Sequence, residues 1–135
     1  MNEPSQRDIF LLSVERCTAS SNFFPSFYER FMGASDEVKN KFKYTDFEIQ
    51  NKMLRRSLEL SAGAISGDRE SLTEIRNRSE THDRYHLDIK PRLYDIWLNA
   101  IIETASEYDD KWDDSVEAAW RKILGHVVKR MTRDY

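Results

Sequence analysis

The sequence predicts an all-α protein of about seven helices, and three observations support this. Apolar residues recur at the three- and four-residue spacing of a helix face, and no stretch shows the sustained alternation of a β-strand. Glycine and proline, the residues that most weaken helices, number only 4 and 3 among 135 residues. Charged residues make up 33% of the chain with both signs interspersed, as on the exposed faces of amphipathic helices. The length fits a single domain, residues 1–135, with its own core.

Charge, hydropathy and cysteine content exclude several classes of protein. The net charge is −3, with no basic stripe of the kind that nucleic-acid-binding proteins carry. No apolar run approaches the ~18 residues of a membrane span, and the polar start of the chain, MNEPSQRD, does not resemble a signal peptide. The lone cysteine, Cys17, excludes an internal disulfide and is best interpreted as a small buried residue. We therefore expect a cytoplasmic protein with neither a nucleic acid nor a membrane as its partner.

The first half of the chain predicts four helices with polar residues at their starts. We place them at about residues 6–17, 23–33, 35–41 and 46–63. The polar break at residues 18–22 supplies N-cap candidates for the second helix, which ends at Gly33. Ser35, followed by two acidic residues, opens the short third helix. Thr45 and Glu48 form a capping box at the start of the fourth helix, which has the most regular pattern in the chain.

The second half of the chain predicts three further helices. We place them at about residues 71–83, 91–107 and 114–132. Ser71 and Glu74 form a capping box at the start of the first of these. Pro91 opens the next helix, because proline is tolerated in a first helical turn. An acidic corner follows, in which Asp113 or Asp114 caps the last helix.

One face of the predicted helix 71–83 is poor in apolar residues and ends in a histidine. Leu72, Ile75, Ser79 and His82 are spaced by three, four and three, which places them on one face. A helix with so sparse an apolar stripe gains little from packing against a protein core. We therefore predict that a large apolar non-protein group covers this face and that His82 contacts it. The alternative is a core or rim histidine with an ordinary hydrogen bond.

Three residue spacings carry a resemblance to a known family. Tyr28 precedes Phe42 by fourteen residues, Gln50 precedes Leu54 by four, and Gln50 precedes His82 by 32. With these spacings, the order of helices resembles a bacterial single-domain globin, similar to the haem domain of flavohaemoglobins, over nearly the whole chain. The segments that carry the resemblance are FYERFMGASDEVKNKF (Phe27–Phe42), Gln50, Leu54, His82 and Ala119-Trp120.

The resemblance implies a globin fold, a three-over-three helical sandwich around haem b. It implies that His82 binds the iron through a neutral imidazole, whose other N–H donates to a backbone carbonyl one turn earlier. The residues expected to contact the haem are Phe42, Leu54, Leu58, Tyr94 and Trp97. The residues expected on the ligand side are Tyr28, Gln50 and Leu54, with Tyr28 and Gln50 as hydrogen-bond donors. The implied function is reversible binding of O₂, or of NO or CO, by a gas carrier, scavenger or sensor.

The chain departs from the flavohaemoglobin pattern around the histidine. Tyr94 resembles a tyrosine that in that family links to a glutamate near the chain end. Counted from Trp120, the glutamate position falls on Tyr135, so that carboxylate is absent. We therefore expect weak imidazolate character at His82 and little peroxidase-like chemistry. His86, one turn after His82, is the competing candidate for the iron ligand.

The sequence is also compatible with two other functions. The first is NO dioxygenation, which needs the same pocket and electrons from a separate reductase. The second is a haem-free, globin-like module that senses or binds another partner. Ordinary structural roles also fit individual residues: core packing for Tyr28, Phe42 and Leu54, and a solvent-facing helix position for Gln50.

Overall fold

The computed structural model describes residues 5–82 and 88–134. Within these ranges the chain forms seven α-helices and no strand, which confirms the predicted all-α class. The helices are α1 (Gln6–Thr18), α2 (Phe23–Ala34), α3 (Asp36–Lys41), α4 (Phe47–Ile65), α5 (Arg69–His82), α6 (Pro91–Tyr108) and α7 (Asp114–Arg133). Across these described segments, no helix is long and apolar enough to cross a membrane. The predicted ends agree to within about two residues, the usual uncertainty of a helix end.

Both predicted capping boxes name the wrong capping residue. In α5 the cap is Asp68, whose Oδ2 accepts a hydrogen bond from the backbone N–H of Ser71 at 2.9 Å. In α4 the cap is Asp46 and not Thr45, since Asp46 accepts hydrogen bonds from two backbone N–H groups of the first turn at 3.0 and 3.4 Å. An aspartate brings a full negative charge to the positive end of the helix dipole. The carboxylate thus takes the capping position from the nearby hydroxyl.

The main core lies among α1, α2, α6 and α7. α2 packs against α6, and both α1 and α6 pack against α7, whereas α4 packs against α5 and α7. Phe10 of α1 meets Trp120 of α7 edge to face, with ring centroids 4.9 Å apart, and both rings are fully buried. Phe23 and Phe27 of α2 are fully buried as well. These aromatic side chains join α1, α2 and α7, and buried apolar residues of α6 and α4 complete the same core.

A buried polar cluster joins α1 to the corner before α7. The Asp109 side chain has no exposed surface, and its Oδ2 accepts a hydrogen bond from Ser13 Oγ at 2.5 Å. Arg16 donates to both carboxylate oxygens, from Nε at 2.5 Å and from Nη2 at 2.9 Å. The indole N–H of Trp120 donates to Ser13 Oγ at 2.9 Å. Burial alone would raise the pKa of Asp109, but the hydrogen bonds from Arg16 and Ser13 outweigh it, so the pKa is lowered.

Candidate functional site

A cavity of about 580 Å³ opens between the helices. Residues of α2 to α7 line it, together with the segments that precede α4 and α6. Its volume lies within the range typical of cofactor and small-molecule sites. Much of its wall is aliphatic or aromatic, including Phe31, Val38, Leu60, Ile75, Leu93 and Val128. A large apolar group fits such a space.

The histidine face of α5 borders this cavity. Within α5, all of which the structure describes, Ile75 is the one buried apolar side chain; Ser71 and Ser79 are the buried polar ones. The sparse apolar face predicted from the sequence is therefore present. Ile75 packs with Leu60 and Ala64 of α4, so protein covers part of this face. Ile75 and His82 also line the cavity, so the rest of the face meets the open space.

The hydrogen bonding of His82 leaves one ring nitrogen for a ligand. Its Nδ1 lies 2.7 Å from the backbone carbonyl oxygen of Arg78, one turn earlier, as predicted. Because a carbonyl only accepts, Nδ1 carries the proton and donates, and Nε2 keeps its lone pair. Burial lowers the pKa of His82, so the ring is neutral at pH 7. A half-buried neutral imidazole with this tautomer is the form that binds metal ions.

Tyr28 and Gln50 meet at the cavity wall. Tyr28 is 3% exposed, and the Gln50 side chain lies close enough to its hydroxyl to affect the pKa of the phenol. Burial raises the pKa of Tyr28 to about 12, and the contact with Gln50 acts in the opposite direction. The phenol is therefore protonated and can donate at any physiological pH. Gln50 is partly buried, and Leu54, one turn further along α4, is 4% exposed and also lines the cavity.

Phe42, Tyr94 and Trp97, three of the predicted haem contacts, line the cavity, and Leu58 does not. The ring of Phe42 lies 5.4 Å from that of Tyr28, centroid to centroid. Leu58 points into the protein core, where it is fully buried. Burial raises the pKa of Tyr94 to about 12, and no charged group of residues 5–82 or 88–134 contributes to the shift. His86 and Tyr135 lie outside the described residues.

Arg78 and Ser57 line the cavity, and sequence reasoning missed both. The Arg78 guanidinium is half-buried and donates a short hydrogen bond to Ser57 Oγ on α4. Burial lowers the pKa of Arg78. The signal was present in the sequence, because Arg78 precedes His82 by four residues and so shares its helix face. The sequence does not predict an arginine at a cavity wall, because arginine side chains are ordinarily exposed.

The sequence model of the globin family matches residues 25–131. The chain belongs to the globin family. Its structure also superimposes on the crystal structure of a Pseudomonas aeruginosa PAO1 protein described as structurally highly homologous to a human haemoglobin. The two chains are 32% identical, the match covers 97% of this chain and 98% of the other, and the TM-score is 0.91. No curated protein sequence matches the chain.

Family membership and the structural match confirm the predicted bacterial globin fold. Globins hold haem, and they bind diatomic gases at its iron; the family therefore implies a haem cofactor and a gas-binding role. The cavity of this globin fits haem in two respects. Its wall is largely apolar. His82 presents a neutral imidazole whose Nε2 makes no hydrogen bond to the described residues, since the contacts of the ring with them involve Nδ1.

Proposed function

We propose that this globin holds haem b in the cavity, with His82 as the iron ligand, and binds O₂ or another diatomic gas reversibly. When bound, haem would supply a ferrous iron for the gas, and O₂ held there would carry partial negative charge. The observation that carries the proposal is the 2.7 Å contact between His82 Nδ1 and the Arg78 carbonyl oxygen, which directs the basic nitrogen away from the backbone. Phe42, Tyr94 and Trp97 supply aromatic contacts for the porphyrin.

Tyr28 and Gln50 stabilise the bound gas in this proposal. Burial keeps the Tyr28 phenol protonated, so its O–H can donate to a ligand with partial negative charge, and the Gln50 amide can donate beside it. Such charge-assisted hydrogen bonds contribute roughly 1.5–3 kcal/mol each. Leu54 narrows the approach to the same space. We therefore expect slow release of O₂ and weaker effects on CO, which carries less charge.

Optical spectra of ferric, ferrous and CO-bound protein test the proposal. The wild-type protein should take up haemin with an intense absorption band near the blue edge of the visible range. His82→Gly should lose the histidine-ligated ferrous spectrum, and added imidazole should restore it by entering the space left by the ring. His126→Gly is the matched control, since His126 is exposed on α7. A ferrous spectrum lost in His86→Gly but kept in His82→Gly would move the iron ligand to His86.

Either of two results would favour a different function for this protein. Protein that stays colourless after haemin is added would favour a haem-free sensory or interaction module. Sustained, multiple-turnover consumption of NO with an added reductase would favour NO dioxygenation, whereas a single stoichiometric turnover would leave reversible gas binding in place. The same purified protein serves for both assays, so the outcomes can be compared directly.

A further inference from the structure

Arg78 contributes to the histidine environment twice, through its backbone and through its side chain. Its carbonyl oxygen accepts the hydrogen bond from His82 Nδ1 at 2.7 Å. Its guanidinium lines the same cavity as His82 and reaches across to Ser57 Oγ on α4. The hydrogen bond to Ser57 holds the cation at the junction of α4 and α5. The neighbour of the imidazole on this helix face is thus a fixed positive charge.

This charge has no close counter-ion among the described residues. No carboxylate in residues 5–82 or 88–134 lies within ion-pair distance of the Arg78 guanidinium. The acidic group that acts on it most strongly, Glu74, is itself paired with Arg56, Nη2 to Oε1 at 3.2 Å. The guanidinium stays protonated despite its burial, because arginine does not lose its proton in proteins. Since the group is half-buried, salt in the solvent screens it weakly.

We propose that Arg78 raises the reduction potential of the haem and so favours the ferrous, gas-binding state. This inference rests on the proposed function, with haem on His82. Reduction adds one electron and removes one positive charge from the iron, so a nearby cation stabilises the ferrous state relative to the ferric state. Arg78 lies one helical turn before His82, and both side chains line the cavity, so the charge faces the space assigned to the haem. A neutral carbonyl, and not a carboxylate, accepts the Nδ1 proton, which favours the same oxidation state.

The midpoint potential of the haem-loaded protein, measured by spectroelectrochemical titration, tests the proposal. Unit charges about 10 Å apart change an equilibrium constant by roughly tenfold at an effective dielectric constant near 20. We expect Arg78→Met to change the ferrous-to-ferric ratio on the order of tenfold in favour of ferric haem. The midpoint potential should therefore fall by about 59 mV, the value for a tenfold change and one electron. Arg78→Lys keeps the charge, so its potential should differ from the wild-type value by no more than half as much as that of Arg78→Met. The shift should persist from low to high ionic strength.

Arg76→Met is the matched control, because it removes the same charge from the same helix at an exposed position. The Arg76 side chain is 73% exposed and faces Glu80. Equal shifts in Arg76→Met and Arg78→Met would overturn the inference, since net charge and not position would then explain them. A potential unchanged in Arg78→Met would also overturn it.

Circular dichroism checks the helix content of each variant, and if Arg78→Met does not fold, the variant Ser57→Ala tests the inference in its place. Ser57→Ala releases the guanidinium and should lower the potential, and an unchanged potential there would overturn the inference.

The test separates this inference from the proposed function. A haem protein with His82-dependent spectra and identical potentials in all Arg78 variants would keep the gas-binding function and end the role of Arg78. A wild-type protein that takes up no haem would end both. The iron–histidine stretching frequency in resonance Raman spectra gives a second reading. It should stay at the wild-type value in Arg78→Lys and rise in Arg78→Met, where the imidazole becomes the stronger donor; a lower frequency in Arg78→Met would contradict the proposal.

Discussion

Replacing Tyr28 by phenylalanine should make O₂ leave the haem-loaded protein about 10- to 150-fold faster. The change removes one hydroxyl and keeps the ring, whose contacts with Phe42 and Phe47, at 5.4 and 5.2 Å between centroids, should persist. The lost interaction is a charge-assisted hydrogen bond of roughly 1.5–3 kcal/mol, which corresponds to that range of rates. The neighbouring Gln50 is partly exposed, so water can satisfy its amide in this variant.

Stopped-flow displacement of O₂ by CO measures the rate directly. CO dissociation, measured by displacement with NO, is the internal control and should change by less than about threefold, since CO carries less charge to attract a donor. A second variant, Gln50→Leu, should also release O₂ faster. The double variant should show that the two effects are not additive, because both side chains line the same part of the site and act on the same ligand. An O₂ release rate in Tyr28→Phe within twofold of the wild type would refute the role of the phenol.

Two further predictions concern stability, measured by urea unfolding. Asp109→Asn should lower the free energy of unfolding by about 2–4 kcal/mol, because Arg16 would keep a partly buried charge without its partner. The pKa of Asp109 is lowered in the folded protein, so its contribution is fully present above the unfolded value of about 3.9 and disappears as the pH falls through the lower folded value. The pH dependence of stability below pH 4 should therefore be shallower in Asp109→Asn; equal slopes would contradict this account. Gly63→Ala should lower the free energy of unfolding by about 1–3 kcal/mol, since a Cβ there would lie 2.2 Å from Ser71 Oγ. Gly33→Ala should leave it unchanged or raise it, because a Cβ there would have no atom within 4 Å. Equal effects at the two glycines would show that the close approach to Ser71 does not matter.

The sequence by itself determined the helices and the candidate site residues that depend on spacing. Helical hydrogen bonds join residues four apart, so a helix face and its breaks are visible in a local pattern. The sparse face that ends at His82 could be predicted for the same reason, and so could the backbone acceptor one turn earlier, which the 2.7 Å contact confirms. Tyr28, Gln50 and Leu54 were found through spacings that resemble those of a family, and they line one cavity.

Only the tertiary structure decided what the helices enclose. The cavity arises where α2 to α7 fail to close on one another, and its wall combines side chains far apart in the chain. Leu58 illustrates the limit, because it shares a helix with Leu54 but points into the core. Arg78 illustrates it in the other direction, since a charged residue on a helix is ordinarily solvated until a neighbour such as Ser57 holds it inside. Periodicity shows which residues share a face, whereas packing decides whether that face meets protein, solvent or a space for a cofactor.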